Sequence, residues 1–109
     1  NRNITVVSNL SRGNMRALID IPLYAQTDLE KVTRIIQQVN QEYAGDQVEI
    51  LQEPTILGPQ VSENGQFYFR ISITVQSGSQ SIVYHQFYRL YHDALLKEGI
   101  DLPTIYAPA

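Results

Sequence analysis

Residues 67–75 read Phe-Tyr-Phe-Arg-Ile-Ser-Ile-Thr-Val. Phe67, Phe69, Ile71, Ile73 and Val75 are apolar, and the intervening Tyr68, Arg70, Ser72 and Thr74 carry polar groups. Strict alternation of this kind marks a strand with one face in a core and the other in water. Its β-branched and aromatic residues suit a pleated, half-buried surface. Burying these apolar side chains is worth roughly 8–15 kcal/mol at most. Net domain stability is only about 5–15 kcal/mol, so a one-residue slip that turned them to solvent would leave no fold. This strand dictates which side of the sheet carries the core.

The chain of 109 residues has the length of one domain with a core of its own. A net charge of −3, with basic and acidic residues spread along the chain, builds no positive field for a phosphate backbone. Nucleic acid is therefore not an expected partner. The lack of cysteine excludes disulfides, thiolate metal ligands and cysteine nucleophiles. No apolar run approaches the roughly 18–20 residues that span a bilayer, and no signal-peptide pattern stands at the start. The chain opens without Met, close to strand-like residues, and is read as a fragment of something longer.

Ile4–Val7 reads as a strand end, and Ser8 to Asn14 is a turn-rich hinge. Met15 to Leu23 is a second strand, with Met15, Ala17, Ile19, Ile21 and Leu23 on one face and Arg16 and Asp20 on the other. Pro22 predicts a ladder that ends there or lies at an edge. Thr27-Asp28-Leu29-Glu30 has the form of a capping box with Thr27 as N-cap. Leu29, Val32, Ile35, Ile36, Val39 and Tyr43 then recur at helical spacing, and Gly45 is placed to stop the helix.

Thr55 to Val61 reads as an edge strand, because Gly58 and Pro59 interrupt it. Asn64-Gly65 is a hairpin signal leading into the 67–75 strand. Ser77-Gly78-Ser79 is expected to cap a second helix over Gln80 to Glu98, with Val83, Phe87, Leu90, Tyr91, Ala94 and Leu95 inward and Gly99 terminating it. Ile100-Asp101-Leu102-Pro103 is expected to form a short last strand. The order predicts an α+β, ferredoxin-like split βαβ sandwich (βαββαβ), with two helices packed on one face of a mixed or antiparallel sheet.

His85 and His92 stand seven apart on the second helix, roughly 10 Å along its axis, too far to share a metal. Asp93 follows His92 directly, and neighbours on a helix point apart, so they are not expected to form a dyad. Tyr84, Tyr88 and Tyr91 fit amphipathic packing, with a tyrosine contact surface as the alternative. Phe67 and Phe69 invite comparison with base-stacking strands of RNA-binding domains. The alternation instead turns them toward the core. No catalytic, cofactor-binding or metal-ligating residue is assigned, and no enzymatic activity is expected.

Four stretches resemble the small-conductance mechanosensitive channel family (the MscS family). Asn1 to Arg12 is similar to the family segment that ends in Asn-x-Ser-Arg. Ile21-Pro22-Leu23-Tyr24-Ala25-Gln26-Thr27-Asp28-Leu29-Glu30-Lys31-Val32 resembles its strand-to-helix passage. Glu53-Pro54 takes the place of its acidic-Pro pair, and Glu98-Gly99-Ile100-Asp101-Leu102-Pro103 looks like its closing Gly-Ile-x-Ile-Pro. The resemblance implies that residues 1–12 end the middle β-domain, 13–103 form the C-terminal α/β domain and 104–109 are a tail. It implies the cytoplasmic vestibule of a membrane channel that releases ions and small solutes in hypo-osmotic shock. Seven copies would form that ring, with self-association weak in the fragment and the membrane reached only through helices upstream. Thr104-Ile105-Tyr106 departs from the family's usual ending. Two other readings share the element order: a small-molecule-sensing regulatory domain of ACT type, and the cytoplasmic domain of a metal transporter.

Overall fold

A computed structural model describes residues 14–103. The expected strand end at Ile4–Val7, most of the hinge, the 1–12 segment and the 104–109 tail lie outside the described residues. The elements are β1 (Asn14–Pro22), α1 (Leu29–Tyr43), a 3-10 turn (Ala44–Asp46), β2 (Thr55–Val61), β3 (Phe67–Gln76) and α2 (Gln80–Lys97). The strands form one antiparallel sheet in the order β1-β3-β2. With two helices on one sheet face, this β-α-β-β-α arrangement is an α+β fold consistent with the ferredoxin-like class. Ile100–Pro103 carries no strand pairing, which corrects the expected last strand.

β3 lies in the middle, and its alternation is realised as expected. Phe69, Ile71, Ile73 and Val75 are buried, and Phe67 at the strand's start is half-buried. Ala17, Ile19, Ile21 and Leu23 join them from β1, while Met15 is 36% exposed because it lies near the end of the ladder. Val32, Ile35, Ile36 and Val39 of α1 and Val83, Phe87, Tyr91 and Leu95 of α2 close the core from above. Tyr43, expected on the apolar stripe, is exposed at the last residue of α1.

Hydrogen bonds decide the helix ends differently from the motif. Asp28, not Thr27, is the N-cap of α1; its carboxylate accepts from the Lys31 N–H at 3.2 Å, and its carbonyl accepts from Val32. Thr27 N–H is taken up in a turn by the Tyr24 carbonyl, one residue before the helix can begin. Gly45 sits inside the 3-10 turn that tightens the end of α1 and is no left-handed cap. Ser79 is the N-cap of α2 but makes no side-chain capping bond, and Gln80 Oε1 accepts from Gly78 N–H instead. Gly99 ends α2 as expected. Its N–H donates to Leu96 and the Ile100 N–H to Leu95, the paired bonds of a Schellman close, with Gly99 at φ 86°.

β2 is an edge strand with an extra residue at Leu57, between the Ile56–Ile71 and Gly58–Arg70 pairs. The bulge accommodates Gly58 at φ 89° and leaves Pro59 where a missing N–H is tolerated. The 62–66 turn closes on the Gly65 N–H to Ser62 carbonyl bond.

Replacing Phe69 with Ala is expected to cost about 3–5 kcal/mol in urea denaturation; a loss below about 1 kcal/mol would show that its face is not core. Asp28→Ala should cost about 0.5–2 kcal/mol and speed amide exchange in the first turn of α1. Thr27→Ala should leave that turn's exchange unchanged.

Candidate functional site

Burying one sheet face leaves the other open to solvent. Arg16, Leu18 and Asp20 of β1 and Tyr68, Arg70, Ser72 and Thr74 of β3 alternate away from the helices; Ser72, flanked by Leu18 and Thr55, is nonetheless buried, and Tyr68, Arg70 and Thr74 are half-buried. The register sets Asp20 directly opposite Arg70, and the guanidinium grips the carboxylate through both oxygens at 2.8 and 3.0 Å. Arg70 also lies over the Tyr68 ring, 5.3 Å from its centroid. These partners are 50 residues apart in sequence, and only the strand register joins them. No linear motif announces the pair.

The α2 helix carries two different flanks. Leu90, Ala94 and Lys97 face α1 across a shallow cleft. On the opposite flank Tyr84, Tyr88 and His92 stack at helical spacing, with centroids 5.8 and 6.2 Å apart and planes 29° and 17° from parallel. A second cleft of about 560 Å³ runs under this stripe, lined by Tyr88, His92 and Leu96 of α2, Ile21 and Pro22 of β1, and Leu102 and Pro103. The three tyrosines grouped together by sequence therefore separate. Tyr91 is wholly in the core, while Tyr84 and Tyr88 are half-buried on the flank with His92.

A third cleft, of about 730 Å³, opens between the end of α1 and the segment before β2. Gln37, Asn40, Gln41 and Gln52 give it an amide lining, and Glu53 is its one charged residue. Asn40 is held from below: the Tyr91 hydroxyl donates to its Oδ1 at 2.6 Å. That bond occupies one lone pair of the carboxamide oxygen and fixes the orientation of the amide. Burial pushes the Tyr91 phenol well above the usual range.

His85 and His92 remain apart, His85 edge-on to Tyr84 at 5.3 Å and His92 in the stripe. Asp93 does meet His92, Oδ1 to Nδ1 at 3.4 Å, which corrects the expectation that they diverge. The contact is long and exposed, and Asp93 also approaches Arg89 at 3.8 Å. Exposed side chains of this length bend toward one another where backbone direction alone would part them. Among the described residues no group of three His, Asp or Glu side chains could hold a metal ion. No helix among them is long and apolar enough to cross a membrane. The surfaces described, an open polar sheet face, an aromatic-floored groove and an amide-lined cleft, are suited to contact and binding. No protein-family model matches the chain, and no curated protein matches it.

The raised Tyr91 pKa fixes a pH dependence. The folded state holds this proton more tightly than the unfolded chain, whose tyrosines ionise near pH 10. Its contribution to stability is complete below about pH 10 and declines as pH rises further. In an ultraviolet titration, Tyr91 should ionise only as the fold opens, and Tyr91→Phe should remove that late component. The lost hydroxyl bond should cost about 0.5–1.5 kcal/mol.

Proposed function

We propose that the chain is a cytoplasmic vestibule domain of a small-conductance mechanosensitive channel, structural and non-catalytic, in a channel that releases ions and small solutes in hypo-osmotic shock. What supports the reading is where its motifs fall in the fold. Ile21–Val32 spans the end of β1, the connecting turn and the first turn of α1. Glu53-Pro54 stands directly before β2, and Glu98-Gly99-Ile100 makes the Schellman close of α2. Each is a junction where backbone geometry restricts residue choice more tightly than apolar packing does. A generic amphipathic sandwich would satisfy its core without these particular residues.

In this reading the domain is one of seven around a ring. The largest side chains are spent on its own core, and exposed apolar ones such as Val48 in a turn, Val61 on β2 and Ile82 on α2 lie apart in sequence. Scattered residues of that kind do not make an obligate interface. The ring is then held by upstream helices and the middle β-domain, which bring these domains together at high effective concentration.

The amide-lined cleft favours a second reading, a small-molecule-sensing domain of ACT type, since it lies between a helix and a strand. Its lining offers no cation to receive a carboxylate, which weighs against an amino-acid ligand. Equilibrium dialysis against amino acids tests it, and saturable binding lost in Asn40→Ala would establish that reading.

Light scattering coupled to size exclusion tests the channel. Residues 1–109 alone should run as a monomer or loose low-order oligomer, and the full-length chain in detergent as a closed heptamer. A full-length monomer would overturn the proposal, as would failure to protect channel-deficient cells from hypo-osmotic shock.

A further inference from the structure

The turn between β2 and β3 holds Asn64, the one asparagine in the chain that is followed by glycine. Both residues are exposed, and Gly65 has open space where a side chain would stand. A backbone nitrogen that follows an asparagine is placed to attack that residue's own carboxamide carbon. A side chain on the attacking residue is the usual obstacle, and Gly65 has none. Glycine also takes either sign of φ, so the Asn64–Gly65 peptide can rotate toward the side chain without a steric penalty.

The carboxamide is held for that attack. The Ser62 hydroxyl donates to Asn64 Oδ1, and the Gln66 N–H reaches the same oxygen at 3.4 Å. Ser62 Oγ in turn accepts from the Gln66 N–H at 3.0 Å, which polarises the hydroxyl and strengthens it as a donor. Attack at Cγ turns Oδ1 into an oxyanion. A donor already aimed at that oxygen binds the oxyanion more strongly than the neutral amide, and so lowers the barrier. Asn40 shows that such a donor is not enough. Its Oδ1 accepts from the Tyr91 hydroxyl, but Gln41 follows it inside α1, where helical bonding holds the backbone nitrogen in place.

We propose that Asn64 is a site of self-modification, converted by its own turn to aspartate and isoaspartate. The Gly65 nitrogen gives up its bond to the Ser62 carbonyl, loses its proton to solvent base and bonds to Asn64 Cγ. The Cγ–Nδ2 bond breaks, and the nitrogen leaves as ammonia with a proton from water. Water then opens the succinimide at either carbonyl. The balance is asparagine plus water to aspartate plus ammonia. Each conversion adds a negative charge to a chain already at −3. The isoaspartyl product carries the main chain through the side-chain carbon and lengthens the turn that sets Val61 opposite Phe67. The modification therefore acts on the pairing of the edge strand β2. It depends on neither functional reading.

Peptide mass mapping of the intact 109-residue chain, aged in mildly alkaline buffer, tests it. Asn64 should show the mass gain of amide-to-acid conversion before any other asparagine. The rate should rise with pH, because the attacking nitrogen must lose its proton. Ser62→Ala should slow conversion roughly two- to tenfold, the kinetic worth of one hydrogen bond. Asn64→Gln should abolish it at this position, and unchanged amide exchange in β3 should show that both variants keep the fold. An Asn64 that stays an amide, or converts after another asparagine, would overturn the proposal. So would a Ser62→Ala chain that converts as fast as the parent or faster, since the hydroxyl would then only hold the turn together.

Discussion

Phe69, Ile71, Ile73 and Val75 stand on one face of the middle strand, and the other elements are placed by apolar contact around them. Among the described residues β3 is the one strand with a neighbour on both sides. Its backbone donors and acceptors are consumed by β1 and β2, and one of its faces is consumed by two helices. A strand so committed tolerates no change of register, because a shift by one residue would bury Arg70 and expose Ile71. The Asp20–Arg70 ion pair follows from that constraint. It joins carboxylate and guanidinium on the open face because apolar packing on the other face has fixed which residues are opposite. Both groups are partly exposed, so the pair is worth little in stability.

The same logic distributes function over the surface. The helices lie on one side, so the surfaces left for contact are the open sheet face, the strand edges and the helix flanks. None of these holds a nucleophile, base and orienting group in mutual reach among the described residues. The channel proposal asks of the domain only shape and contacts. Its support comes from junction residues because junctions are where a single amino acid has a geometric task. Gly99 at positive φ and Asp28 at a helix start are examples.

Much of the architecture was legible in the order of residues. Alternation in 67–75 and 15–23 and the helical stripe from Leu29 to Val39 each record one local periodicity and one buried face. Gly99 was legible for the same reason, since a left-handed position after a helix admits few residues. The errors lie where two neighbours compete for one role. Thr27 and Asp28 both carry an oxygen suited to a helix start, and the turn bond from Thr27 N–H to Tyr24 awards the cap to Asp28. Ser79 has the right position, but Gln80 reaches back to satisfy Gly78.

The candidate surfaces were less legible, because they are made by distant segments. Tyr84, Tyr88 and Tyr91 look alike along the chain, yet one turn angle sends Tyr91 into the core and keeps the others on a flank with His92. The sequence by itself determined the three paired strands, the helices, the buried face and the class of fold, but not the end of the chain after α2, because the former follow from short-range period and turn chemistry. Only the tertiary structure decided that Asp20 meets Arg70 and that Tyr91 anchors Asn40. Those outcomes depend on register and crossing geometry between segments up to 51 residues apart, which no local pattern encodes.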